Sequence, residues 1–116
     1  FVIKLADVSN PSRIWPIYRA WFHLIIQEFY QQGDLERSFK YPIAPTMNRK
    51  LMTMPKIQLG FIKFLAGPLF ENWHNYCKSN FSKLLVDTVN RNSLKLRNMK
   101  ETCDRMLVKV ENYIVE

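Results

Sequence analysis

"IYRAWFHLIIQEFYQQGDLER", Ile17 to Arg37, decides the fold. Within it Ile17, Trp21, Leu24, Ile25 and Phe29 recur at intervals of four, three, one and four, which is one face of an amphipathic helix. Pro16, just ahead, suits a first helical turn, where its missing N–H costs nothing. Gly33 is a candidate stop, but Asp34, Leu35, Glu36 and Arg37 can carry a further turn. The spacing therefore predicts a helix over roughly residues 15–37.

Outward from this helix the pattern stays helical. A second helix is expected from Thr53 or Met54, with Pro55 in its first turn. Ile57, Phe61, Phe64 and Leu65 share one side, Leu69 and Trp73 extend that stripe, and Gly67-Pro68 should bend or break it. Phe81 to Val89 reads as a third stretch, ending around "NRNS", Asn90 to Ser93. The last helix carries Leu96, Met99, Cys103, Met106, Leu107, Val110, Tyr113 and Ile114, read as a packing stripe. No strand pattern is present, so the fold class is all-α. Between the first two helices lies "KYPIAPTMNRKLM", Lys40 to Met52, a loop with Pro42 and Pro45. Its content of Tyr41, Ile43, Met47, Leu51 and Met52 is apolar for a loop. Such a loop folds back on something or covers a pocket.

Composition narrows the class. With 116 residues, 47% hydrophobic and 14% aromatic, the chain can bury a core and is not disordered by composition. No apolar run approaches the ~20 residues of a membrane helix. The opening "FVIK" reads as the tail of a helix or strand, and the chain as a piece of a longer protein. The net charge is +7, and Lys78 to Lys100 holds six basic residues against one acid. Such a segment can attract nucleic acid, anionic lipid or phosphorylated ligands. The simpler reading is a solvated helix face, and no nucleic-acid-binding motif is present. Cys77 and Cys103 lack CxxC spacing. They could pair, but read more simply as reduced thiols, which favours an intracellular, cytoplasmic setting.

Few residues offer chemistry. Asp7 follows an apolar run in "IKLADVSNP" and precedes a turn-forming Ser-Asn-Pro. A lone aspartate there is most often a turn or cap residue, and metal ligation is the minority reading. His23 and His74 have no second His or carboxylate at i+3 or i+4, and Ser9 and Ser12 have no His partner nearby. Gln58 falls in "IQLGFI", three residues before Phe61. A carboxamide beside a flat ring could hydrogen-bond and stack a planar heterocycle. The alternative is an exposed glutamine next to a core phenylalanine.

The segments "ADVSNP", "YRAWFHLIIQEFYQQGDLER", "PIAPTMNR", "IQLGFIKF" and "PLFENW" occur in this order between residues 3 and 73. This order resembles the C-terminal part of the class I cyclic-nucleotide phosphodiesterase catalytic domain. Residues 78–116 are similar only as a helical C-terminal extension, so residues 1–116 would form one portion of one catalytic domain. The resemblance implies an all-α metallophosphohydrolase that hydrolyses the 3′ phosphoester of cyclic AMP or cyclic GMP to the 5′ monophosphate. It implies a dinuclear site, usually zinc with magnesium or manganese, with Asp7 matching a late-lying metal-ligand aspartate. Gln58 matches the purine-binding glutamine and Phe61 its stacking clamp. Asn10 and Val8 match positions lining the nucleotide pocket. Tyr18 matches a residue that helps set the glutamine amide. Trp21, Ile25, Ile26, Phe29, Met47 and Ile57 match pocket-wall positions, and "YPIAPTMNR" a mobile loop over the pocket. The implied partners are the cyclic nucleotide and the remainder of the catalytic domain, with no nucleic acid; membrane attachment and oligomeric state are not addressed.

Three departures stand out. The family's H-N-x-x-H and H-D-x-x-H motifs, which lie upstream of "ADVSNP", are absent from this chain. With them go the ligand histidines, the bridging aspartate and the histidine general acid, so the isolated chain is expected to be inactive. Asn48 stands where the family often has Asp, and Phe22 replaces a smaller polar residue. The competing reading is a catalytically dead helical module that binds nucleotide or a partner.

Overall fold

A computed structural model describes residues 1–115, with side chains through Asn112. Five α-helices, two 3-10 turns and one π-turn follow one another: α1 (Val2–Asp7), a 3-10 turn (Asn10–Ser12), α2 (Trp15–Ser38), a 3-10 turn (Pro45–Met47), α3 (Met54–Phe61), a π-turn (Ile62–Ala66), α4 (Gly67–Cys77) and α5 (Asn80–Val115). No strand occurs among the described residues, and the all-α reading holds.

The central helix α2 has Pro16 in its first turn and runs through Gly33 to Ser38. The face it buries differs from the one its periodicity suggests. Tyr18, Phe22, Ile26, Tyr30 and Gly33 are buried, whereas Ile17, Trp21 and Leu24 are exposed. Apolar residues surround most of α2, so spacing alone leaves its inward face undetermined; contact with the other helices selects it. One core joins Tyr18 and Phe22 to Leu5, Ile62, Phe70, Val89 and Leu96. A second, smaller cluster joins Ile26 and Tyr30 to Ile57. The Tyr18 and Phe22 rings meet edge-on with centroids 5.1 Å apart, and Trp15 lies 5.9 Å from Phe22.

Gly67-Pro68 does not end the second helical segment; the winding widens there and runs on. Pro68 has no N–H to offer the carbonyl four residues back, and its ring would clash there. The chain winds as a π-turn just before it, and the Gly67 N–H reaches Ile62 O. A Cβ on Gly67 would lie 2.7 Å from that same carbonyl oxygen, so only glycine allows the approach. The extra residue in this turn shifts the helical register. Phe64 and Leu65, expected on the buried stripe, are therefore exposed, and Ile62, Ala66 and Phe70 are buried instead.

The last two expected helices are one. No Gly or Pro occurs after Pro68, so nothing breaks α5 at "NRNS". Ser79 caps it, its Oγ accepting from Ser82 N at 3.0 Å. The buried Ser82 side chain also meets His74 Nδ1 at 2.7 Å, tying the end of α4 to the start of α5. The stripe on α5 packs only through its first half: Leu96 is buried and Met99 packs against the core, but Met106, Leu107 and Val110 are exposed. Tyr113 and Ile114 lie outside the residues with described side chains. Among the described residues no helix is long and apolar enough to cross a membrane. Cys77 and Cys103 are both free.

Candidate functional site

Six segments converge on a cavity of about 420 Å³. The end of α1 contributes Asp7, followed by Val8, and the first 3-10 turn adds Asn10 and Pro11. From α2 come Tyr18, Phe22, Ile25 and Phe29. The loop supplies Thr46 and Met52. From α3 come Ile57, Gln58, Gly60 and Phe61, with Phe64 from the π-turn. A larger cleft of about 610 Å³ lies between the π-turn and α5, lined among others by Lys63, Glu71, Arg97 and Lys100. It is separate from Asp7 and Gln58, and of these two only the smaller cavity combines an apolar wall with a buried carboxamide.

Gln58 is the polar centre of that wall. It is 6% exposed and sits on the buried side of α3. The Tyr18 hydroxyl, itself fully buried, donates to Gln58 Oε1 at 2.7 Å. Burial pushes the Tyr18 phenol well above its usual range, so it stays protonated and keeps that bond. Among the described residues no protein group accepts from Gln58 Nε2. One side of the amide is thus anchored, and the other is left to a ligand. Because a hydroxyl both donates and accepts, the pair can anchor either amide orientation. Phe61, three residues on, lines the same cavity half-exposed. The bland expectation for this pair, an exposed glutamine beside a core phenylalanine, is inverted.

Of the residues singled out in the sequence, Asp7, Val8, Asn10, Tyr18, Ile25, Phe29, Ile57, Gln58 and Phe61 share this cavity. Trp21, Ile26 and Met47 do not. At 100° per residue, Tyr18, Phe22, Ile25 and Phe29 fall within about 60° of one another on α2. Trp21 and Ile26 fall about 40° beyond this arc, on opposite sides. Accordingly Trp21 is 51% exposed and Ile26 is buried with Tyr30 and Ile57. Met47 is turned onto α2, its backbone carbonyl against Gly33, and Thr46 takes the cavity position. Pro11, Thr46, Met52 and Gly60 line the cavity without any spacing signal, whereas Phe64 shares the helical stripe of Ile57 and Phe61.

The apolar loop does fold back, and four polar ties hold it. Tyr30 Oη donates to Met52 O at 2.6 Å, and Arg49 lies over the Tyr30 ring at 5.2 Å. Arg49 Nε donates to Asp34 Oδ1 at 3.0 Å. Arg37 Nη2 donates to Asn48 Oδ1 at 2.8 Å, and Lys50 N donates to the same oxygen at 3.0 Å. The amide oxygen of Asn48 thus accepts both bonds that a carboxylate there could accept. Phe22 occupies the wall as a buried ring, edge-on to Tyr18 and stacked on His23, 5.0 Å away.

Asp7 ends α1 with an exposed side chain on the cavity rim. It makes no hydrogen bond or ion pair among the described residues, so the turn-capping role expected of a lone aspartate is not exercised. A free carboxylate at a cavity mouth fits one ligand position of a metal. No group of three His, Cys, Asp or Glu side chains able to hold a metal occurs among the described residues. Among the described residues this cavity presents one carboxylate, Asp7, and not a complete metal shell.

The family model for 3′5′-cyclic nucleotide phosphodiesterase matches residues 1–89. The 3′,5′-cyclic-AMP phosphodiesterase 4C of Mus musculus is 40% identical over 91 residues, which are 78% of this chain and 13% of that protein. The 3′,5′-cyclic-AMP phosphodiesterase isoform F of Drosophila melanogaster is 36% identical over 91 residues, again 78% of this chain and 14% of that protein. The structure of LmjPDEB1 in complex with IBMX superposes with a TM-score of 0.74 at 32% identity, over 86% of this chain and 30% of that one. The chain therefore spans a small part of each relative. Within that part lie the cavity, its anchored glutamine and the helices that build it, and by this match the chain belongs to the 3′,5′-cyclic nucleotide phosphodiesterase family.

Proposed function

We propose that this chain forms the base-recognition side of an active site that hydrolyses the 3′ phosphoester of cyclic AMP or cyclic GMP to the 5′ monophosphate. One observation carries the reading: Gln58, held by Tyr18, offers its free amide edge to the same cavity that Phe61 and Asp7 line. The buried amide hydrogen-bonds the polar edge of the purine, and Phe61 covers its face. Val8, Ile25, Phe29 and Ile57 exclude water around the ring, and Asn10 presents a polar group on the cavity wall. Burial raises the value of each hydrogen bond made there and of each one lost.

Asp7, which lines the mouth of the cavity, would be one ligand of a metal shared with residues outside this chain, zinc paired with magnesium or manganese. Such a pair, when bound, supplies a hydroxide at neutral pH and neutralises charge on the phosphate. The exposed apolar line of Ile14, just before α2, and Ile17, Trp21 and Leu24 on it is the surface on which the remainder of the catalytic domain packs.

Gln58→Ala in the full-length protein tests this. The KM for cyclic nucleotide should rise by roughly 10²-fold, because a site built around a hydrogen-bonded edge loses its selectivity when that bond goes. Unchanged kinetics would remove Gln58 from substrate recognition. Full-length protein that binds cyclic nucleotide without turnover, with metals supplied, would assign the chain to the alternative, a dead nucleotide-binding module.

A further inference from the structure

Asp7, Val8, Asn10 and Pro11 line one side of the cavity from an unpromising support. The helix they follow has six residues and the turn has three. Elements this short do not hold themselves, since helix nucleation is costly and few bonds repay it. Within the turn, Ser12 N and Ser12 Oγ bond to Ser9 O, and Arg13 N bonds to Asn10 O. None of these ties the turn to the rest of the molecule. The carbonyls of Pro11 and Arg13 point away from the turn, and both are met by a single side chain. Asn92, in the first half of α5 and 2% exposed, donates from Nδ2 to Pro11 O at 2.8 Å and to Arg13 O at 2.7 Å. Both amide protons are spent on backbone about 80 residues away in the chain. No other side-chain hydrogen bond among the described residues joins α5 to this turn.

We propose that Asn92 is a positioning residue for the cavity, clamping the Asn10–Ser12 turn so that Asp7 and Asn10 face Gln58 at a fixed separation. The inference rests on the reading of the cavity as the nucleotide site. Asn92 lies outside residues 1–89, the part that matches the family model. Its chemistry is specific. Among uncharged side chains only a carboxamide NH2 supplies two donors from one atom, and the two carbonyls sit on either side of Ser12. A carboxylate there would face two carbonyl oxygens with no proton between them. The same clamp fixes the residue before Ile14, whose carbonyl accepts from Tyr18 N at 3.0 Å and starts α2. The Tyr18–Gln58 pair and the Asp7 rim are thus aligned through one amide.

The test uses the full-length protein with Asn92→Asp, Asn92→Leu and the milder Asn92→Ser, and Leu96→Ala as the control. Leu96 is buried one turn further along the same side of α5 and lines no part of the cavity. Three readouts avoid turnover: affinity for adenosine 5′-monophosphate, zinc affinity, and amide hydrogen exchange at Ser12 and Arg13. The Asn92 variants should weaken both affinities by about 10- to 100-fold, with Asn92→Ser least affected, and speed exchange at the turn. Leu96→Ala should lower the melting temperature and leave both affinities of the folded protein within about twofold. If the Asn92 variants only lower the melting temperature, as Leu96→Ala does, the positioning role is overturned. Asn92→Ser carries the test if Asn92→Asp fails to fold. Gln58→Ala separates the two ideas. If it leaves adenosine 5′-monophosphate affinity unchanged, the nucleotide pocket itself is misassigned; if it weakens that affinity while the Asn92 variants do not, the clamp alone is wrong.

Discussion

Gly33→Ala sets two local effects against each other, and the sign of the result tests the packing of the cavity loop. Inside a helix such as α2, glycine to alanine stabilises by about 1 kcal/mol when nothing interferes. Here something interferes. A Cβ on Gly33 would overlap the Met47 carbonyl oxygen and lie 2.8 Å from its carbon. Both are backbone atoms, so no rotamer change relieves the clash. The Pro45–Met47 turn must retreat by about 1 Å against the ties from Tyr30, Arg37 and Arg49. Overpacking of this kind costs about 1–3 kcal/mol, and the backbone case belongs at the upper end. The net expectation is a loss of about 2 kcal/mol. Gly60, in α3, has nothing within 4 Å of an added Cβ. Gly60→Ala should therefore stabilise by about 1 kcal/mol. Equilibrium urea denaturation followed by tryptophan fluorescence reads both. With a slope near 2 kcal/mol per molar, the midpoint falls by about 1 M for Gly33→Ala and rises by about 0.5 M for Gly60→Ala. Equal upward shifts in the two variants would show that the loop does not press on α2 as described.

Two further predictions bear on the site. Tyr18 holds its proton more tightly folded than unfolded, where its value is 10.0. Its contribution is full below pH 10 and is lost as pH rises above that value, because only the unfolded chain then ionises. Tyr18→Phe should abolish this part of the alkaline loss, seen as a shallower fall in melting temperature above pH 10. At pH 7 the same variant should be destabilised by about 1–3 kcal/mol, because Gln58 Oε1 loses its partner. A variant as stable as the parent at pH 7 would refute the buried bond. Asp7→Asn removes a charge from an exposed side chain that bonds to nothing, so stability should change by less than about 0.5 kcal/mol. Zinc content of the full-length protein and its turnover should fall together. Full zinc content with normal turnover would take Asp7 out of the metal site.

Much of this molecule is legible along the chain. Apolar spacing and the position of Pro16 mark α2 to within a residue at each end. The order of "ADVSNP", "IQLGFI" and the segments between them points to the family, because each carries a local constraint that survives without knowledge of neighbours. The loop around Pro45 reads as a cover, since that many apolar side chains are not left in water without a surface to meet. Helix continuity through "NRNS" was masked by polar residues that usually favour turns. Asn92 does not turn back on its own backbone because Pro11 and Arg13 occupy its donors.

What periodicity could not decide is which way each helix faces. Helix α2 is apolar around most of its circumference, so Tyr18 and Trp21 are equivalent to any period count. Only the approach of α3 and α5 buries one and exposes the other. The register of the segment after Phe61 likewise depends on a π-turn, which relieves Pro68 at a distance and moves Phe64 outward. Gln58 shows the division most clearly. Its place three residues before Phe61 is written in the chain, but its burial, its bond to Tyr18 and its free edge come from helices 40 residues apart meeting around one cavity. Local spacing specifies which side chains share an element. The energy of burying or pairing them is settled only by what lies across the gap, and that is a property of the packed molecule.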